Sequence, residues 1–312
     1  MIAVAMDDTG REPVATHTPA LPGGSNCTRP RLSERPALES SRGAYDHAVI
    51  SNPWILFLIG ALAASALMIA MWVLAVRIGD ASHVDVAWAY GIGAAGALYA
   101  LLADGSTAHR LLVALLGAVW SLRLGTYILF NRVIGKPEDG RYQELRRRWA
   151  PNVDRAFFLF FQAQAGFVAI FSLPFLFVTL DGGDVSWLVW VGSLIAAGSI
   201  AGELTADLQL AAWRGDPSNK GRTARNGLWG WSRHPNYFFE WLHWVGWAVI
   251  ALGSPHGWIA IVVPVFLLLL LFKVTGIPET EAQSLRSRGE DYRRYQQEVS
   301  VFVPLPAKRR LT

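Results

Sequence analysis

Cysteine is all but missing. Cys27 stands alone, so one chain can build no disulfide, no cysteine-rich metal site and no CxxC redox pair. Charge is also scarce: Asp, Glu, Lys and Arg make up 17% of the 312 residues, against roughly 25% in soluble domains. The basic residues sit in loops between apolar blocks and do not line one face of a helix, so the formal net charge of +4 does not point to nucleic acid. Residues 1–50 show no sustained hydrophobic period, are rich in Pro, Ser, Gly, Arg and Glu, and lack the layout of a signal peptide. The stretch 1–52 is therefore expected to be a disordered extension.

Apolar side chains are abundant, at 52% of the chain, and fall into blocks long enough to cross about 30 Å of hydrocarbon. The blocks are 53–76, 84–103, 111–130, 156–180, 185–202, 235–253 and 257–277. The 14 Trp and 15 Phe suit a body that meets lipid. The fold class expected is all-α: a polytopic helical membrane bundle of about seven spans over 53–312, ending in an amphipathic C-terminal segment. Lys and Arg number seven in 131–156, five in 213–234 and eight from Lys273 onward, with none in 181–184 or 254–256. The positive-inside rule then puts those basic segments and the C-terminus in the cytoplasm and the N-terminus outside. The expected location is a bacterial inner membrane, with the lipid bilayer as partner.

Gly91-Ile-Gly93-Ala-Ala-Gly96 matches a dinucleotide fingerprint by letter, but that pattern works only between a strand and a helix. Inside an apolar span it reads as small residues that let helices approach, as does Gly198-xxx-Gly202.

Ionisable side chains inside spans are costly and mark candidate sites. The densest group is Asn226-Gly-Leu-Trp-Gly-Trp-Ser-Arg-His-Pro-Asn-Tyr-Phe-Phe-Glu-Trp-Leu-His243. Pro235 can open a helix, which puts Asn236, Glu240 and His243 on one face. Arg233 and His234 precede it, where free N–H groups and the helix dipole favour an anion, and they are the expected partners of Glu240. A second group joins Glu203 and Asp207, one turn apart, to Asn219, Lys220, Arg222 and Arg225. Acids beside bases either neutralise each other or divide a nucleotide between them, acids on ribose and bases on phosphate. A third group is Glu279, Glu281, Arg286, Arg288, Tyr292 and Tyr295, on a polar helix folded over the cytoplasmic face. Glu240-Trp-Leu-His243 has di-iron spacing, but a second Glu-x-x-His is missing, so no metal is expected.

The stretch Gly227-Leu-Trp-Gly-Trp-Ser-Arg-His-Pro-Asn-Tyr-Phe-Phe-Glu240 resembles the signature of the steroid 5α-reductase-like membrane proteins. It is most similar to their bacterial branch, catalogued as a domain of unknown function (DUF1295-type). Asp85-Val-Ala-Trp88, Asp207-Leu-Gln209 through Asn219-Lys-Gly221, and Glu281 through Pro304 add to the likeness, which covers nearly everything after residue 53. The resemblance implies NADPH in a pocket of the last helices, opening to the cytoplasm, and hydride transfer to an activated C=C bond of a lipidic substrate. Carried over by position, Asp207, Asn219, Arg233, His234, Asn236, Tyr237 and Glu240 would line the cofactor site, joined by Lys220 and Arg222 of the basic loop. Arg288, Tyr292 and Tyr295 would close it. The Gln–Glu pair and Tyr that address a steroid ketone in that family have no counterpart here. His83, Asp85 and Tyr90 are the nearest candidates for catalytic groups, and Phe239 stands where the family often has Gly.

An NADPH-dependent reductase of an α,β-unsaturated lipid is thus the first reading. An S-adenosylmethionine-dependent methyltransferase of the isoprenylcysteine type would use the same Arg-His-Pro loop without needing a phosphate site. A transporter or assembly factor ranks third, because transporters often carry repeated halves. Only a faint echo appears here, between Glu138–Tyr142 and Glu290–Tyr295.

Overall fold

The computed structural model describes residues 50–274 and 276–307, all helix and loop, with two isolated bridges as the only β pairing among them. The extension expected over 1–52 lies outside the described residues except for 50–52.

Six stretches are long and apolar enough to cross a membrane: Pro53–Ile78, His83–Leu102, Thr107–Val133, Val153–Thr179, Trp187–Gly215 and Gly257–Arg288. They contain α1 (Pro53–Ile78), α2 (His83–Leu102), α3 (Thr107–Ile128), α5 (Val153–Phe171) with α6 (Leu173–Thr179), α7 (Trp187–Gly215), and α9 (Val262–Leu269) with α10 (Ile277–Arg288). The expected span at 235–253 is also a helix, α8 (Pro235–Ala251), but at 17 residues it is shorter than the rest. Seven crossings survive if α8 counts as the shortest workable span. Two short helices, α4 (Gly140–Arg148) and α11 (Glu290–Glu298), complete the set.

Local sequence explains the boundaries. The Asn52 side chain accepts from Trp54 and Ile55 N–H to cap α1, which ends at Gly79 with φ 72°. Ser106 caps α3 by accepting from His109 N–H. The helix expected to begin at Val185 and continue past Gly202 into a polar end starts at Trp187 and runs to Gly215, carrying Glu203 and Asp207 into the bundle. The last apolar block opens as a 3₁₀ turn (Gly257–Ile261) and closes as a π turn (Leu270–Val274).

The small-residue motif packs as the sequence reading expects. A Cβ on Gly91 would lie 3.2 Å from Leu67, one on Gly93 would overlap Ser121, and one on Gly96 would lie 2.8 Å from Phe175. Three glycines thus admit three different helices. Gly198-xxx-Gly202 does so at one of its two glycines. Gly198 meets nothing, whereas Gly202 receives the ring of Phe239. The α7–α8 crossing instead closes at Gly246, where a Cβ would lie 2.7 Å from Ala196 N and 2.8 Å from Gly192 O. Around these contacts lies an aromatic core of Trp120, Phe161, Phe171, Phe175, Trp244 and Trp247, all fully buried.

Candidate functional site

The twelve residues proposed from sequence for a cofactor fall into three neighbourhoods, all toward the end of the bundle that carries the basic loops. The first is inside the bundle. Arg123 reaches from α3 to α7, with Nη1 2.6 Å from Glu203 Oε2 and Nη2 2.6 Å from Asp207 Oδ2. Asn236, in the first turn of α8, also hydrogen-bonds Asp207. Glu240 lies one turn further along α8. Its expected partners, Arg233 and His234, do not reach it. Two indoles do: Trp120 Nε1 donates to Oε2 at 3.0 Å and Trp244 Nε1 to Oε1 at 2.9 Å. The correction has a simple cause. Arg233 and His234 precede Pro235 and turn toward the C-terminal segment, whereas Glu240 faces the aromatic core.

The second neighbourhood is a clasp. Arg233 Nε donates to Glu281 Oε1 at 2.6 Å, and Nη1 to the carbonyls of Gln296 and Val299 at 2.8 Å each. His234 Nε2 lies 3.3 Å from the same Glu281 oxygen, and the His234 ring stacks on Tyr237, whose hydroxyl lies 3.3 Å from Thr280 Oγ1. Tyr295 is buried and donates to Trp229 O at 2.6 Å. Burial pushes the phenol of Tyr292 up to about 12 and that of Tyr295 higher. Neither ionises near neutral pH. These residues fasten α10 and α11 under the Arg-His-Pro turn and commit three of the five N–H donors of Arg233.

The third is a cavity of about 370 Å³ between the end of α7, the loop after it and the end of α10. Asn219, Lys220, Arg222 and Arg288 line it together with Arg214, Asp216 and Ser287, which the sequence reading did not single out. The side chain of Asn219 donates to Trp213 O at 3.1 Å and fixes the loop. Arg288 lies over the Tyr292 ring and donates to Ser284 at 3.1 Å. Arg214, Lys220 and Arg222 make no ion pair among the described residues. Four cations and one carboxylate therefore face a solvent-open hollow, which suits a polyanion.

The three candidates from α2 lie elsewhere. Asp85 accepts from Tyr142 Oη at 2.6 Å and Arg141 Nη2 at 2.7 Å, which ties α2 to α4. Tyr90 Oη lies 3.0 Å from Thr126 Oγ1, and His83 Nδ1 is buried without a partner. No group of three or more metal-binding side chains is assembled among the described residues.

The chain belongs to the family described as "Protein of unknown function (DUF1295)", whose model matches residues 71–299 and so takes in all three neighbourhoods. No curated protein and no solved structure matches the chain.

Proposed function

We propose that the protein is a membrane-embedded, NADPH-dependent reductase of an activated C=C bond in a lipidic substrate. One observation carries the reading: the basic hollow of Arg214, Lys220, Arg222 and Arg288 opens at the same end of the bundle as the buried acids Glu203 and Asp207 of α7. The hollow would take phosphates, and Asp207 with Asn236 and Glu240 offers acceptors for ribose or amide groups. The donor set thus fits a nucleotide whose charge sits at the surface and whose reactive end points into the bilayer. When bound, such a cofactor supplies a hydride. The protein's part is to bind, orient and exclude water, and the packed rings of Trp120, Trp244 and Phe171 keep the interior beside Glu240 dry. A lipidic substrate suits a body built of apolar spans. The steroid 5α-reductase-like signature around Arg233-His-Pro-Asn-Tyr237 points the same way, with a cytoplasmic opening and a bacterial inner membrane as its setting.

The test is the paired variant Lys220→Gln/Arg222→Gln. A charged hydrogen bond is worth about 1.5–3 kcal/mol, so NADPH affinity should fall roughly 10- to 100-fold for each charged hydrogen bond to phosphate that is removed. Wild-type affinity should also weaken with salt. An affinity unmoved by the double variant would remove the hollow from the reading.

A further inference from the structure

We propose that the basic hollow holds the adenosine half of the cofactor, with the adenine base laid on the indole of Trp213 and the 2′-phosphate among the cations beside it. The proposal rests on the reductase reading and adds to it which end of the dinucleotide the hollow takes and which residue reads the base.

The hollow is basic only at its rim. Leu210, Trp213 and Arg214 fall at i, i+3 and i+4 on one face of α7, and all three line it. Leu210 and Trp213 are half-buried and Ala224, from the loop, is buried, whereas Arg214, Lys220 and Arg222 are exposed. An apolar floor with one aromatic ring thus lies inside a fringe of cations. Phosphate alone needs only the cations. The floor adds what a flat heteroaromatic base needs, a π-face to stack on and apolar surface to cover.

Trp213 also has an unspent donor. Trp229, which packs on the same helix, donates its indole N–H to Ala206 O at 2.9 Å. Trp213 Nε1 is buried and finds no acceptor among the described residues. A donor left unpaired in this way is costly, and the ribose attached to a stacked base brings hydroxyl acceptors to the edge of the indole. The platform is also fixed relative to the phosphate ligands. Trp213 O accepts from the Asn219 side chain at 3.1 Å and from Asp216 N–H at 3.4 Å. Those bonds tie the backbone of Trp213 to the loop that carries Lys220 and Arg222.

Size decides which half of the dinucleotide is held. A volume of about 370 Å³ is near the low end for small-molecule sites, roughly 300–1,000 Å³. It gives room for one nucleotide and not for two joined. The half with the extra phosphate belongs with the cations. The nicotinamide half has to meet a substrate dissolved in the bilayer. Asp207 lies two turns back along α7 from Arg214, about 10 Å by helical rise, and marks that direction.

Calorimetric titration of the full-length, detergent-purified protein with adenosine 2′,5′-bisphosphate, inorganic pyrophosphate and NADPH tests this without turnover. Wild type should bind the bisphosphate more tightly than pyrophosphate, because the base adds to the phosphates. Trp213→Ala should weaken the bisphosphate and NADPH together, on the order of 5- to 100-fold, the worth of one base stacked on an aromatic ring. Trp213→Phe should recover part of that loss. Pyrophosphate should bind all three proteins alike, which also shows that the variants keep the hollow. Wild type that binds the bisphosphate no more tightly than pyrophosphate would overturn the proposal and leave a plain phosphate site, open to lipid headgroups. That arm needs no variant. Equal NADPH binding by wild type and Trp213→Ala would sink the placement and leave the reductase reading standing. Bisphosphate binding without NADPH binding would overturn both.

Discussion

Arg123 illustrates how a single residue can organise the interior of a membrane bundle. An arginine in an apolar span is costly, and Glu203 and Asp207 at 2.6 Å each are what make it tolerable. Arg123→Met should therefore destabilise the protein by about 3–5 kcal/mol, because it strands a buried carboxylate. Adding Asp207→Asn should recover part of that loss in chemical denaturation; a second substitution that only deepens the loss would refute the pairing. Glu240 gives a sharper case. Glu240→Gln turns one accepting oxygen into an NH2 that faces an indole N–H, leaving a buried donor without its acceptor. Stability in detergent should fall by about 1–3 kcal/mol even without ligand, and an unchanged melting temperature would contradict the two-indole arrangement. At this scale the sequence singled out Glu203, Asp207 and Glu240 as costly and passed over Arg123. It did not announce who pairs with whom, because partners 84 residues apart in sequence meet only through the packing of α3 on α7. Charge balance was the available signal, since an arginine alone in one span asks for an acid in another.

Helix boundaries were easier to read than helix contacts. Block lengths and caps follow from local sequence, whereas the close crossing at Gly246 depends on Gly192 and Ala196 of another helix. Of the expected pair Gly198-xxx-Gly202 only Gly202 meets α8, at Phe239, since small-residue spacing alone cannot say which stripe faces protein. Gly246→Ala should cost about 1–3 kcal/mol through overpacking against backbone, while Gly198→Ala should be neutral; equal effects in thermal unfolding would contradict the crossing. The echo between Glu138–Tyr142 and Glu290–Tyr295 also resolves here. Both begin short helices docked by a buried tyrosine, Tyr142 donating to Asp85 and Tyr295 to Trp229 O. The likeness is one of docking and needs no repeated halves. The α11 clasp should depend on pH. Burial alone would raise the Asp291 carboxyl, but the Thr223 N–H at 2.7 Å and Arg225 more than offset it and hold it below its usual range. A lowered carboxyl contributes stability present above the unfolded pKa and lost as pH falls through the folded one. Protease sensitivity of 277–305 should therefore rise only below the ordinary carboxylate range, and a rise near pH 7 would point elsewhere.

Over the whole molecule, charge is distributed by end. The loops 131–152 and 216–234, with α10 and α11, gather at one end of the bundle, and the turns at 103–106, 180–186 and 252–257 at the other. Reporter fusions at residue 145 should report cytoplasm and fusions at Gly183 the outside; cytoplasmic signal at Gly183 would overturn that orientation. The bundle architecture could be read from hydropathy and Lys/Arg counts alone. The hollow at its basic end could not, because Arg214 and Ser287 join Lys220 and Arg222 only once α7 and α10 are placed. That hollow makes the central claim measurable by side-by-side calorimetric titration of the detergent-purified protein with NADPH, NADP, NADH and S-adenosylmethionine. NADPH should bind at least roughly 10-fold more tightly than NADH, the worth of one charged hydrogen bond to phosphate. Tight binding of S-adenosylmethionine with none of NADPH would contradict the reductase and make the protein a methyltransferase.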